Sequence, residues 1–273
     1  AATSVSGDLT LSGTVSLSPS GASLTIGDAL TVGTGTTFTL PGIAVTVTGA
    51  SSITGTLNTV TASTGAKTFT GAVTVNTGGV WDLSTTNPGV SFAAGLTVDG
   101  TGTFTSGSGA YTFANGAAQT LGGTRAITIS TITNSDTTGN GLTLQDDGVT
   151  ITTLTQGASS VLTFAGAIPT ITTLDADTNA NTVQYTGASQ AVKADTYSSL
   201  TINGTGTATI GGITVVNGTM TVSSAVTNNS TLTVTTALSG ASTLTNGASA
   251  TLNIGGTSGI TGLTATASGN TVN

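Results

Sequence analysis

Residues 8–47 read DLTLSGTVSLSPSGASLTIGDALTVGTGTTFTLPGIAVTV, and the alternation in this stretch decides the fold. Apolar side chains recur at every second position in Leu9/Leu11, Val15/Leu17, Leu24/Ile26, Leu30/Val32, Phe38/Leu40 and Val45/Val47, with Thr, Ser or another small residue between them. A period of two is the mark of a strand with one face buried. The first members stand at 9, 15, 24, 30, 38 and 45, so three steps carry Leu9 to Leu30 and Leu24 to Val45, a repeat of about 21 residues in both cases. Three short strands in a repeat of about 21 residues describe one coil of a three-faced β-solenoid, or parallel β-helix. Gly13, Gly27, Gly33 and Gly42 fall in the gaps, where the chain turns a corner between strands.

The same texture continues outward through Val73/Val75, Leu96/Val98, Ile127/Ile129, Leu142/Leu144, Leu200/Ile202, Leu232/Val234 and Leu252/Ile254, and no segment shows a helical period. At about 21 residues per coil the 273 residues make roughly 13 coils, which predicts one elongated repeat domain over 1–273. The alternative fold is a set of β-sandwich domains polymerised by donor-strand exchange. Sandwiches use longer strands, with turn signals roughly every 8 to about 12 residues.

Composition supports an all-β chain. Thr supplies about a quarter of the residues, and β-branched side chains at that density disfavour helix and suit a pleated surface. Charged residues make up only 5% and the net charge is −7, while 36% hydrophobic residues and a mean hydropathy of +0.33 are too apolar for a disordered chain. The cations are Lys67, Arg125 and Lys193, too few to neutralise a phosphate backbone, so nucleic acid is not an expected partner. Small polar residues interrupt every apolar run well short of the ~18 residues a membrane helix needs, so membrane insertion is not expected either. The opening Ala1-Ala2-Thr3 has the look of a chain cut at a small-residue signal-peptide site, which predicts an exported, extracellular or cell-surface protein.

A longer similarity overlies the coil period. Asn58-Thr59-Val60, Asn181-Thr182-Val183 and Asn270-Thr271-Val272 are weak supra-repeat starts. The stretch 181–212, NTVQYTGASQAVKADTYSSLTINGTGTATIGG, resembles the degenerate β-strand repeats of large secreted bacterial surface proteins of the adhesin and autotransporter-passenger type. That resemblance implies a β-helical stalk, attachment at a cell surface and matrix, including surface polysaccharide, as surroundings. It implies no catalytic residue.

Catalysis finds little to work with. There is no His, no Cys and no Glu, and the ten Asp residues are scattered with scarcely a cation to accompany them, so no catalytic site and no enzyme activity are expected. Asp175, Asp177, Asn179 and Asn181 alternate and could place oxygen ligands on one side around a Ca²⁺, the one cofactor the sequence offers. Asp and Asn equally favour corners, by bonding to nearby backbone amides, and Asp146-Asp147-Gly148 reads the same way. Thr-x-Thr pairs such as Thr37/Thr39, Thr103/Thr105, Thr219/Thr221 and Thr231/Thr233 raise an ice-binding or carbohydrate-binding face, although their spacings wander from multiples of the coil length.

The leading expectation is a non-enzymatic structural protein that polymerises with itself head to tail. A solenoid coil with no neighbour leaves backbone groups unpaired, and neither end carries a blocking charge or Pro. The expected interface joins Asn270, Thr271, Val272 and Asn273 of one copy to Ala1, Ala2 and Thr3 of the next. An adhesin stalk is the alternative reading.

Overall fold

The computed structural model describes residues 2–16, 21–60, 63–114, 117–137, 141–145 and 148–273. Every regular element among them is a β-strand, and every pairing between neighbouring strands is parallel. The chain is a β-solenoid of about 12 turns spaced near ~21 residues. Its residues form two compact units: one holds residues up to Leu142 with Gly148–Leu154 and Pro169–Thr173, the other Thr143–Asp147, Thr155–Ile168 and Leu174–Asn273.

In the first unit the short strands predicted from 8–47 appear in phase, as Leu9–Leu11, Thr14–Ser16, Ser23–Ile26, Leu30–Val32, Thr37–Leu40 and Ala44–Val47. Leu17 lies outside the described residues. Three parallel sheets result. The first stacks Thr3–Val5, Ser23–Ile26, Ala44–Val47, Lys67–Phe69, Val90–Phe92, Tyr111–Phe113 and the later part of Ile127–Asn134. The second runs from Leu9–Leu11 through Leu30–Val32, Ser51–Ile53, Val73–Val75 and Leu96–Val98 to Gln119–Gly123. The third stacks Thr14–Ser16, Thr37–Leu40, Thr56–Thr59, Val80–Asp82 and Thr103–Thr105.

Parallel register turns the period-two pattern into columns. Ile26, Val47, Phe69, Phe92 and Phe113 lie over one another and are all buried, while the outward column between the buried ones carries Thr25, Thr46, Thr68, Ser91 and Thr112. β-Branched hydroxyl residues suit that outward column, because their stiff side chains pack against like neighbours on the pleated surface. Inside, Phe69, Phe92 and Phe113 stack at centroid distances of 6.1 and 5.3 Å, and Trp81 meets Phe69 and Phe104 edge-on at 5.1 and 5.2 Å. Such contacts add about 0.5–1.5 kcal/mol each beyond area burial.

Coil length varies along the stack. Val5, Ile26 and Val47 keep the basic interval of the sequence repeat, but the step from Phe69 to Phe92 is longer by two and that from Leu57 to Trp81 longer by three. In the second unit the steps from Val183 to Leu200, from Val216 to Val234 and from Val234 to Ile254 all fall short of that interval, the first although its coil encloses the buried Tyr185 and Tyr197.

The second unit also has three parallel stacks. One runs Val161–Phe164, Thr182–Tyr185, Ser199–Ile202, Thr219–Val222, the start of Ala237–Asn246 and Thr257–Thr264. The next runs Ala191–Val192, Thr207–Ile210, Ala225–Asn228 and the end of Ala237–Asn246. The last runs Thr196–Tyr197, Thr214–Val216, Thr231–Val234, Thr251–Ile254 and Thr271–Val272. Ala237–Asn246 passes from the first stack to the second, through Gly240 at φ 134°, a conformation that a side chain disfavours.

The three Asn-Thr-Val matches hold three different places. Asn58 sits inside Thr56–Thr59 between Thr39 and Asp82, Asn181 precedes Thr182–Tyr185, and Asn270 precedes Thr271–Val272.

Candidate functional site

The coil of residues 251–273 carries most of the predicted assembly interface. Thr271 N–H donates to Ala250 O and Asn273 N–H to Leu252 O, both at 2.9 Å, while Ile254 N–H donates to Asn273 O at 2.9 Å. Successive residues of a strand direct their N–H and C=O groups to opposite sides, so those of Val272 point away from the coil beneath. Side chains reinforce the stack. Asn270 Nδ2 donates to Asn246 O, Asn246 Nδ2 donates to Thr271 O, and Asn273 Nδ2 donates to Asn253 Oδ1. Among the described residues Thr271–Val272 pairs only with Thr251–Ile254, and Thr257–Thr264 only with Ala237–Asn246. The side chains that would be core in a covered coil are therefore open: Leu263 is 41% and Val272 42% exposed. Of the other half of the predicted interface, Thr3 pairs with Leu24 in the first unit, Ala2 is exposed beside it, and Ala1 lies outside the described residues.

A buried amide pair underlies this coil. Asn228 and Asn246, both fully buried, lie in register, and Asn228 Nδ2 donates to Asn246 Oδ1 at 2.8 Å and to Thr251 O at 3.0 Å. Asn228 Oδ1 accepts from Ser230 N–H. Of the four asparagines in Asn-x-Ser/Thr sequences, Asn228 is buried, whereas Asn203, Asn217 and Asn229 are exposed.

Three of the residues considered for Ca²⁺ make hydrogen bonds to backbone. Asp175 Oδ1 accepts from Thr178 N–H, Asn179 Nδ2 donates to Gln156 O, and Asn181 Nδ2 donates to Asn179 O. Asp177 is exposed and Asn181 is buried, its Oδ1 without a hydrogen bond. Among the described residues no group of three or more His, Cys, Asp or Glu side chains comes together. Asp146 and Asp147 lie outside the described residues.

In the core nearby, Tyr185 and Tyr197 hold their hydroxyls 3.0 Å apart, closing a ring with Lys193: its N–H donates to Tyr185 and its C=O accepts from Tyr197. Burial pushes both phenols well above the ordinary range. Asp195 stands 3.6 Å from Lys193, and its carboxyl is raised by burial against the opposing pull of the Thr196 amide and Lys193. A surface notch of about 380 Å³ is lined by Gly166, Ala167, Ile168, Ala188, Ser189, Gln190 and Ala191, none of them titratable.

The Thr-x-Thr pairs do not share one face. Thr37/Thr39 and Thr103/Thr105 share the third sheet of the first unit, whereas Thr219/Thr221 and Thr231/Thr233 occupy different stacks of the second. One hydroxyl column is unbroken, from Ser4 through Thr25, Thr46, Thr68, Ser91 and Thr112 to Thr133. Its members stay in line although their spacing varies, because the variation is taken up at the corners. The chain matches no family model, no curated protein and no solved structure.

Proposed function

We propose that this chain is a non-enzymatic extracellular structural protein, a subunit or segment of a cell-surface filament whose coils continue from one copy to the next by parallel β-strand pairing. What supports the reading is the coil of residues 251–273, where the backbone of Val272 is directed away from the coil beneath and Leu263 and Val272 are exposed, a surface that a further coil, of this chain or of another copy, fits. A coil stacked upon it would satisfy the first and bury the second. The N-terminal coil presents strands Thr3–Val5, Leu9–Leu11 and Thr14–Ser16, of similar length and parallel habit. Such a contact is heterologous and need not close, so repetition gives an open filament. Low charge and the absence of Cys and His suit an inert material, and the resemblance to adhesin repeats agrees with a place at the cell surface.

A second reading, a solenoid that binds polysaccharide or ice, is favoured by the unbroken hydroxyl column from Ser4 to Thr133. Val272→Pro separates the two. It removes an N–H that takes no part in pairing with Thr251–Ile254, so the monomer keeps its ladder while the open edge loses a donor. Electron micrographs should show filaments for the parent and short particles for the variant. Filaments of equal width and length in both would refute terminal pairing.

A further inference from the structure

Lys67 is an anomaly in its own column. Thr3, Leu24, Val45, Val90, Tyr111 and Ile132 lie in register with it along the first sheet, and Lys67 is itself fully buried. Its Nζ donates at 2.7 Å to Ile43 O in the preceding coil and at 2.7 Å to Gly65 O in its own. The two corners so joined are already tight. Gly65 N–H donates to Gly42 O, and a Cβ on Gly65 would stand 2.1 Å from the carbonyl carbon of Ile43, so only glycine fits there.

We propose that Lys67 is a clasp that fixes the register of its coil against the preceding one, its buried amine bridging the two corners, and that its proton sets how firmly they hold. The in-out alternation forbids a slip of one residue between Lys67–Phe69 and Ala44–Val47, because a one-residue slip turns every side chain over. It does not forbid a slip of two. In a chain whose coils are so alike, that slip would still place apolar side chains inside, but it would carry Nζ off Ile43 O and leave a buried ammonium short of partners, a costly state.

The protonation follows from the same geometry. The paired strands contribute Val45, Thr46, Val47, Val90, Ser91 and Phe92, none of which titrates, and the corners contribute backbone only. Burial alone lowers the lysine to about 8 from its ordinary 10.5, with no charged neighbour contributing. A neutral amine still carries two N–H groups, enough for both carbonyls. Between about pH 8 and 10.5 the unfolded chain holds a proton that the folded chain has released, so raising the pH favours the fold. Above pH 10 the effect reverses, because burial raises Tyr111 to about 12 and the unfolded chain then ionises first.

The experiment uses the full chain and its Lys67→Met variant, with chemical denaturation followed from pH 7 to 11. In the parent the unfolding constant should fall by up to about tenfold per pH unit above pH 8, reaching a minimum near pH 10. The variant should lack that fall and keep only the rise from the tyrosines. Equal slopes would overturn the proposal. Should Lys67→Met fail to fold, the Nζ resonance of the parent decides: a midpoint near 8 supports the clasp, and one near 10.5 refutes it.

Discussion

Ser249 sits at φ 58°, in the left-handed region, at a turn where Ala250 N–H donates to Gly247 O. Ser159 and Ser189 adopt the same conformation, at φ 60° and 49°, and all three belong to the same triplet: Gly157-Ala158-Ser159, Gly187-Ala188-Ser189 and Gly247-Ala248-Ser249. Other corners place glycine there, as at Gly35, Gly78 and Gly269. A side chain in this region costs about 1–2 kcal/mol, and the extra freedom of an unfolded glycine costs about 0.5–1 kcal/mol, so relief of strain wins. Ser249→Gly should stabilise the protein by up to about 1 kcal/mol, whereas Ser249→Ala, which keeps the strain, should not. Equilibrium denaturation of both tells a backbone effect from the loss of a hydroxyl. The triplet alone does not mark this turn, because Gly21-Ala22-Ser23 and Gly240-Ala241-Ser242 place their serines in strands. Lys67 and Asn246 were hidden differently. Phase carried from Phe69 and Leu244 puts both inside, against the ordinary preference of Lys and Asn for the surface.

At the scale of the strand, phase was the most legible property of the sequence, because burial on one face imposes a period of two on every element. Phe38 is fully buried between Val15 and Leu57, while Thr39 points outward from the same strand. Phe38→Asp should therefore cost several kcal/mol by burying a carboxylate with no partner, on the order of 4 or more, and Thr39→Asp should stay within about 1 kcal/mol. Equal tolerance in thermal denaturation would contradict the register. The coil length was less legible. A constant interval holds on the first sheet from Val5 to Val47, but the third sheet steps unevenly over the same coils, from Val15 to Phe38 to Leu57, and later coils are longer at Phe69 to Phe92 and shorter at Val183 to Leu200. The Thr-x-Thr spacing wandered because the pairs lie on different sheets and stacks, while the hydroxyl column itself stayed straight. Corners absorb the difference, and corners obey no period.

For the whole molecule, each unit is held by the same two forces: backbone pairing along the stack and a narrow apolar core within each coil. Neither force distinguishes a coil's neighbour in its own chain from a neighbour in another. Around Asp175, Asp175 Oδ1 and the amides of Asn179 and Asn181 make hydrogen bonds to backbone, and the alternation alone could not tell a turn from a metal loop because both call for the same residues. The most direct measurement is X-ray diffraction from aligned filaments of the native protein. Coils that continue from copy to copy keep every strand across the filament axis, which predicts a strong reflection on the meridian at about 4.7–4.9 Å. Filaments whose strand reflection lies off the meridian, or a protein that stays monomeric at all concentrations, would contradict end-to-end coil stacking.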